Sequence, residues 1–218
     1  MRAVIFAGGD FPWPQEARRW LRPEDWILAA DGGAVHCQAL GLHPAVLIGD
    51  LDSLDPQAAE AQRSAGVEII LHPRAKDETD LELAAVHAVR GGADEIVIFG
   101  AFGGRWDHTL ANFLLAAHPA LRHLRLTFTD GRRRAWVIPD EAEVSGSPGD
   151  LVSLLPIGGD AHGISTTGLE YALQNGSLLL GSSRGVSNVL VDSPAHISVR
   201  EGLLLLVVSP REGEGGSP

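Results

Sequence analysis

The chain has one cysteine, one lysine and no long apolar run, and each shortage narrows what it can be. Cys37 alone permits no internal disulfide, and its setting in "AVHCQALG", an amphipathic stretch, reads as a buried structural thiol. The longest apolar run, "LLLLVV" at 203–208, falls far short of the ~20 residues that a membrane span requires. The opening "MRAVIFAGGD" has a single basic residue and an apolar run stopped at Asp10, too brief for a signal peptide, so the expected compartment is the cytoplasm. Positive charge is scarce as well: 17 Lys and Arg stand against 28 Asp and Glu, a formal charge of −11. That balance argues against a nucleic-acid partner, because a phosphate backbone needs a clustered basic face. Two kinds of ligand remain: a cation, which an acidic site welcomes, or a polyanion bridged to the protein by a divalent metal.

Familiar catalytic signatures are missing too. There is no GxxxxGK[ST], no GxGxxG after the first strand, no HExxH and no cysteine cluster for zinc, which together argue against a P-loop and a zinc centre. The nine histidines are scattered and need no metal.

What is present reads as two domains. In 218 residues, 44% of them hydrophobic and 21% charged, a sizeable core can form without staples. Up to about residue 130, short β-type runs (2–6, 26–30, 45–49, 67–71, 95–99 and 124–129) alternate with helical patterns near 15–21, 33–40, 56–65, 79–90 and 109–117. Continuous apolar strands separated by helices predict an α/β domain with a mostly parallel, Rossmann-like sheet over residues 1–131. After Asp130-Gly131 the pattern changes to "RAWVI", "LVSLLP", "LEYALQN", "SLLLG", "NVLVD", "HISVR" and "LLLLVV", separated by Gly, Pro, Asn and Ser. Many short strands imply an antiparallel sandwich or barrel over 132–210, and 211–218 reads as a frayed tail.

In a parallel sheet, ligands bind outside the carboxyl ends of the strands, and here the loops after the first five strands all contain aspartate. "GDLDS" puts Asp50 and Asp52 where a loop can turn both carboxylates toward one hard cation, whereas Asp55, before Pro56, reads as a helix N-cap. In "KDETDLELA", Thr79 and Glu82 fit a capping box, and Lys76, the chain's single lysine, stands beside aspartates in a manner that suggests phosphate contact. "GAFGGRWDHTLAN" combines a glycine-rich loop, the fork-shaped cation of Arg105 and Asp107 at a helix start, the ingredients of a phosphate cradle. His108 and Asn112 follow on one helix face at i and i+4.

The ordered set "ADGGA", "GDLDS", "KDETDLELA", "GGRWDHTLAN" and "TTGLEYAL…GSSRGVSN" resembles the thiamine pyrophosphokinase family over nearly the whole chain. The resemblance implies a Rossmann-like domain followed by a β-sandwich, a homodimer with active sites at the subunit interface, and Mg²⁺-dependent transfer of pyrophosphate from ATP to the hydroxyl of thiamine. By the same motifs, Asp31, Asp50, Asp52, Asp80 and Asp107 correspond to an acidic metal and substrate cluster, with Asp50, Asp52 and Asp80 on the metal. Lys76, Thr79 and Arg105 correspond to phosphate contacts, with His108 and Asn112 beside them, while Ser187 and Asn188 correspond to thiamine-binding residues completing the site of the partner subunit. Leu51, Phe102 and Trp106 depart from the family's usual residues and bear on the shape of the pocket. Asp50, Asp52 and Asp80 are equal candidates for the base that takes the alcohol proton. Two other readings of the same residues are a nucleotide-sugar glycosyltransferase using Asp50-Leu51-Asp52, and a non-catalytic nucleotide sensor.

Overall fold

Arg2–Phe6 (β1) is buried at every position, as a strand covered on both faces must be. The computed structural model describes residues 1–50 and 56–211, and the chain divides into two units, Met1–Gly131 and Arg132–Pro218. Asp52 and Asp55 therefore lie outside the described residues.

In the first unit the strands after β1 are Trp26–Ala30 (β2), Val46–Gly49 (β3), Glu68–Leu71 (β4), Glu95–Phe99 (β5) and Arg125–Thr129 (β6). All pair in parallel, in the order β4-β3-β2-β1-β5-β6. Their connections carry Pro14–Ala17 (α1), Gly33–Ala39 (α2), Pro56–Ser64 (α3), Asp80–Arg90 (α4) and Trp106–Leu114 (α5). Leaving β1, the chain builds outward through β2, β3 and β4, then returns to β5 on the other side. The order reverses between β1 and β5, where the following loops must part and leave a crevice. Beneath it, Phe6 and Phe99 stack with ring centroids 5.1 Å apart, and Phe11 meets both edge-on.

Local chemistry sets the helix starts. Thr79 caps α4, its Oγ1 accepting from the backbone N–H of Glu82 at 3.2 Å. The Glu82 carboxylate stands 3.7 Å from the His118 imidazole. α5 begins at Trp106, three residues before the expected start, because Arg105 already has extended backbone and closes the first turn through Thr109 N to Arg105 O. Cys37 is fully buried, and burial pushes its thiol up to about 12, which suits a packing role.

The second unit is antiparallel and β-rich, as expected: Arg134–Ile138 (β7), Glu141–Val144 (β8), Leu151–Thr167 (β9), Gly176–Leu178 (β10), Asn188–Val189 (β11), Ala195–Ser198 (β12) and Glu201–Ser209 (β13). The 17-residue β9 belongs to two layers. Its first half pairs with β13 and β11, and its second half with β12 and β10. Gly158 and Gly163, at φ +75° and +69°, let the strand bend between the two. Val152, Leu154, Ile164, Ile197, Leu204 and Leu206, drawn from both layers, pack into one buried core. "LEYALQN" is a bent segment rather than a strand, tied to its neighbours by a bridge of Leu169 to Leu190 and by the bonds Glu170 N to Val189 O and Thr166 N to Leu173 O.

Candidate active site

The loops at the carboxyl ends of β1 to β5 enclose a cleft of about 640 Å³, within the range of small-molecule sites. Asp31, Asp50, Lys76, Thr79, Asp80, Arg105, His108 and Asn112, all singled out from the sequence, line it. Asp107 does not, and Asp52 is outside the described residues.

Asp31 ends β2 with a left-handed backbone, φ +42°, while its N–H donates to Ile48 O at 2.8 Å. A non-glycine residue in that region is strained, and such strain persists where surrounding structure imposes it. Asp50 follows β3 at the same rim. From the loop after β4, Lys76 Nζ reaches 2.8 Å from Asp80 Oδ1, one helical turn along the chain. The contact is an ion pair without hydrogen-bond alignment, and Asp80 Oδ1 is itself buried.

The cleft's carboxylates matter for a metal. Hard cations take oxygen ligands, and Mg²⁺ typically binds one or two carboxylates plus substrate phosphates rather than a complete protein cage. Among the described residues no three His, Cys, Asp or Glu side chains cluster as a self-sufficient metal site. Two cleft carboxylates, Asp50 and Asp80, fit the partial coordination Mg²⁺ uses, Asp80 with its Oδ1 beside the Lys76 ammonium.

On the opposite flank, the loop after β5 is held from beneath. Asn112 Nδ2 donates to Ala101 O at 2.7 Å, and Gly103 N donates to Thr109 Oγ1 at 3.2 Å. The buried Asn112 thus braces the loop. Arg105 and Asp107 face each other outside this frame, both exposed. The guanidinium hydrogen bonds hold the Asp107 carboxyl down at about 2, and the carboxylate raises Arg105 in turn.

Sequence reasoning passed over several lining residues, Asp10 and Arg74 among them. Asp10 closes "GGD" directly after β1, and its N–H donates to Phe102 O, so the β1 loop is stitched to the β5 loop across the reversal. A strand followed by two glycines and an acid was the available signal.

The second unit has a smaller pocket, about 340 Å³, lined by Tyr171, Arg184, Ser187, Asn188 and neighbours. Ser187 is at φ +61°, and its N–H donates to Ser153 Oγ at 3.0 Å. Asn188 is engaged at both ends of its amide. Oδ1 accepts from Tyr171 N at 3.0 Å and Val189 N at 2.9 Å, while Nδ2 donates to Tyr171 O at 2.9 Å. Its side chain clamps the main chain at Tyr171, a residue that is 67% exposed.

Comparison with known proteins matches each unit separately. The thiamin pyrophosphokinase catalytic domain matches residues 17–128, and the thiamin pyrophosphokinase vitamin B1 binding domain matches residues 138–204. Thiamine pyrophosphokinase of Bacillus subtilis (strain 168) is 31% identical over 186 residues, 84% of this chain and 86% of the relative. Thiamine pyrophosphokinase 1 of Oryza sativa subsp. japonica is 27% identical over 172 residues, 74% of this chain and 64% of the relative. Among solved structures, thiamine pyrophosphokinase from Bacillus subtilis superposes with TM-score 0.87 at 28% identity, covering 97% of this chain and 100% of that one. Thiamin pyrophosphokinase from Geobacillus thermodenitrificans gives 0.80 at 26% identity, covering 99% of both.

Proposed function

The chain belongs to the thiamin pyrophosphokinase family, and on that premise we propose that it transfers pyrophosphate from ATP to the hydroxyl of thiamine, releasing thiamine diphosphate and AMP. The observation that carries the reading is one cleft, at the sheet reversal of the unit matching the catalytic domain, where Asp31, Asp50 and Asp80 meet the cations Lys76 and Arg105.

Transfer of this kind depends on positioning and on stabilising negative charge more than on covalent help from protein. Asp50 and Asp80, with Asp52 by the family resemblance, are the proposed holders of Mg²⁺. When bound, Mg²⁺ would neutralise phosphate oxygens as charge develops on them. Lys76 supplies a fixed cation on one flank of the cleft and Arg105 on the other, each aimed by a carboxylate partner, Asp80 and Asp107. Asn112 and Thr109 hold the β5 loop so that its glycines can approach the nucleotide. The pocket beside Ser187 and Asn188 is the proposed seat of thiamine, whose positive thiazolium suits an acidic protein, and Asn188 acts there by fixing Tyr171. Asp50 or Asp80 of the cleft, or Asp52 by the family resemblance, takes the alcohol proton.

A homodimer is part of the proposal. The exposed apolar stripe of Trp106, Leu110 and Leu114 along α5 supports it, and sedimentation reads it directly.

The test is thiamine-dependent release of AMP from ATP and Mg²⁺ by purified protein. Release of UDP or GDP from a sugar donor, or ATP binding with no thiamine-dependent AMP, would overturn the reading in favour of a glycosyltransferase or a sensor.

A further inference from the structure

We propose that His36, which is not among the cleft-lining residues, is the positioning residue that fixes the nucleotide cradle by tying the β1 and β5 loops together; the proposal rests on reading the cleft as the ATP site. His36 is the fourth residue of α2, whose first residue lies so close to β1 that a Cβ on Gly33 would stand 1.9 Å from Phe6 O. That approach brings the imidazole against both loops that flank the sheet reversal. Nε2 is 2.8 Å from Gly9 O. A carbonyl oxygen only accepts, so Nε2 carries the proton and donates. On its other side the ring abuts the β5 loop, since a Cβ on Gly100 would meet His36 Cδ2 at 3.3 Å. Phe11 packs on the ring with centroids 5.0 Å apart and holds it in place.

The contact matters because of what it ties. Gly9 N donates to Gly100 O at 2.8 Å, so with His36 on its carbonyl both polar groups of Gly9 are committed away from ligand. Its neighbours Gly8 and Asp10 remain as lining of the cleft. Without the imidazole donor, a part-buried carbonyl loses its partner, and the Gly9–Asp10 peptide can turn that carbonyl elsewhere only by straining the Asp10 N to Phe102 O bond made from its other side. A tilt there shifts Asp10 and the backbone floor together. The consequence falls on nucleotide affinity, not on the transfer step and not on thiamine.

The experiment compares His36→Leu with His36→Gln, whose amide nitrogen stands the same number of bonds from Cα as Nε2. Binding is read by calorimetry with α,β-methylene-ATP, whose α–β bridge cannot be cleaved, and turnover by steady-state kinetics with ATP and thiamine. His36→Leu is expected to weaken analogue binding and raise KM for ATP by about tenfold, the worth of one part-buried hydrogen bond. kcat and KM for thiamine stay near wild type, and His36→Gln restores nucleotide affinity. Wild-type affinity in His36→Leu, or a His36→Gln as weak as His36→Leu, overturns the proposal. Should His36→Leu melt early, His36→Asn, too short to reach Gly9 O, takes its place under the same criteria. A wild-type protein that binds no analogue overturns both this proposal and the nucleotide reading. One that binds it without thiamine-dependent turnover overturns the reaction alone, and analogue affinity still decides the role of His36.

Discussion

Arg105 grips Asp107 at two points, Nε to Oδ1 at 3.2 Å and Nη2 to Oδ2 at 2.5 Å, at the start of the helix that leaves the glycine loop. The contact sets the direction in which the guanidinium is offered, a condition for bidentate phosphate binding. Its pH dependence follows from the carboxylate being held at about 2. A depressed folded value means that the contribution is fully present above the unfolded value, about 3.9, and is lost as pH falls through the folded one. Carbon-detected NMR of the Asp107 carboxyl should titrate near 2 and move up toward the ordinary value in Arg105→Ala. Because both side chains are exposed, Asp107→Asn should leave the melting temperature nearly unchanged while raising KM for ATP several-fold.

Asp80 is the most exacting position for charge. Its Oδ1 is buried without a hydrogen bond and faces Lys76. Asp80→Asn keeps the shape and removes the charge, so turnover should fall by about 100-fold or more with little change in melting temperature. Near-normal kcat in that variant would remove Asp80 from the mechanism.

Asn188 makes a separable prediction in the second unit. Replacing it by Ala breaks three hydrogen bonds that fix the main chain at Tyr171 and Val189. The cost should be about 1–3 kcal/mol in denaturant unfolding. KM for thiamine should rise while analogue binding at the nucleotide cleft stays the same.

Gly9 and Gly104 both line the cleft yet should respond oppositely to Ala. A Cβ on Gly9 would stand 2.1 Å from Phe102 O, whereas one on Gly104 meets nothing within 4 Å. Gly9→Ala should destabilise by about 2 kcal/mol or more and weaken nucleotide binding, and Gly104→Ala should unfold like wild type. Thermal melts of the two decide it.

The parallel sheet was legible because each central strand is a short continuous apolar run bounded by helical periodicity, as in "EIVIF". The β-rich unit was legible in kind but not in detail. β8, "EAEV", combines weak strand formers over four residues, and β9 runs through Pro156, Gly158 and Gly159, which read as a turn although they mark a bend within one strand. In the cleft, residues in loops just after strands stood out by type, as with Asp31, Asp50 and Lys76. His36 did not: its role comes from α2 packing on β1, a tertiary contact with no local pattern. Asp107 reads from its motif as part of the acidic cluster, and only coordinates show its carboxylate spent on Arg105.

Which bond of ATP breaks separates pyrophosphoryl transfer from phosphoryl transfer. With ATP labelled separately at the α and γ phosphorus, Mg²⁺ and thiamine, the γ label should appear in thiamine diphosphate and the α label in AMP, in equal amounts. Label from the γ position in thiamine monophosphate with ADP as co-product, or no transfer to thiamine at all, would contradict it.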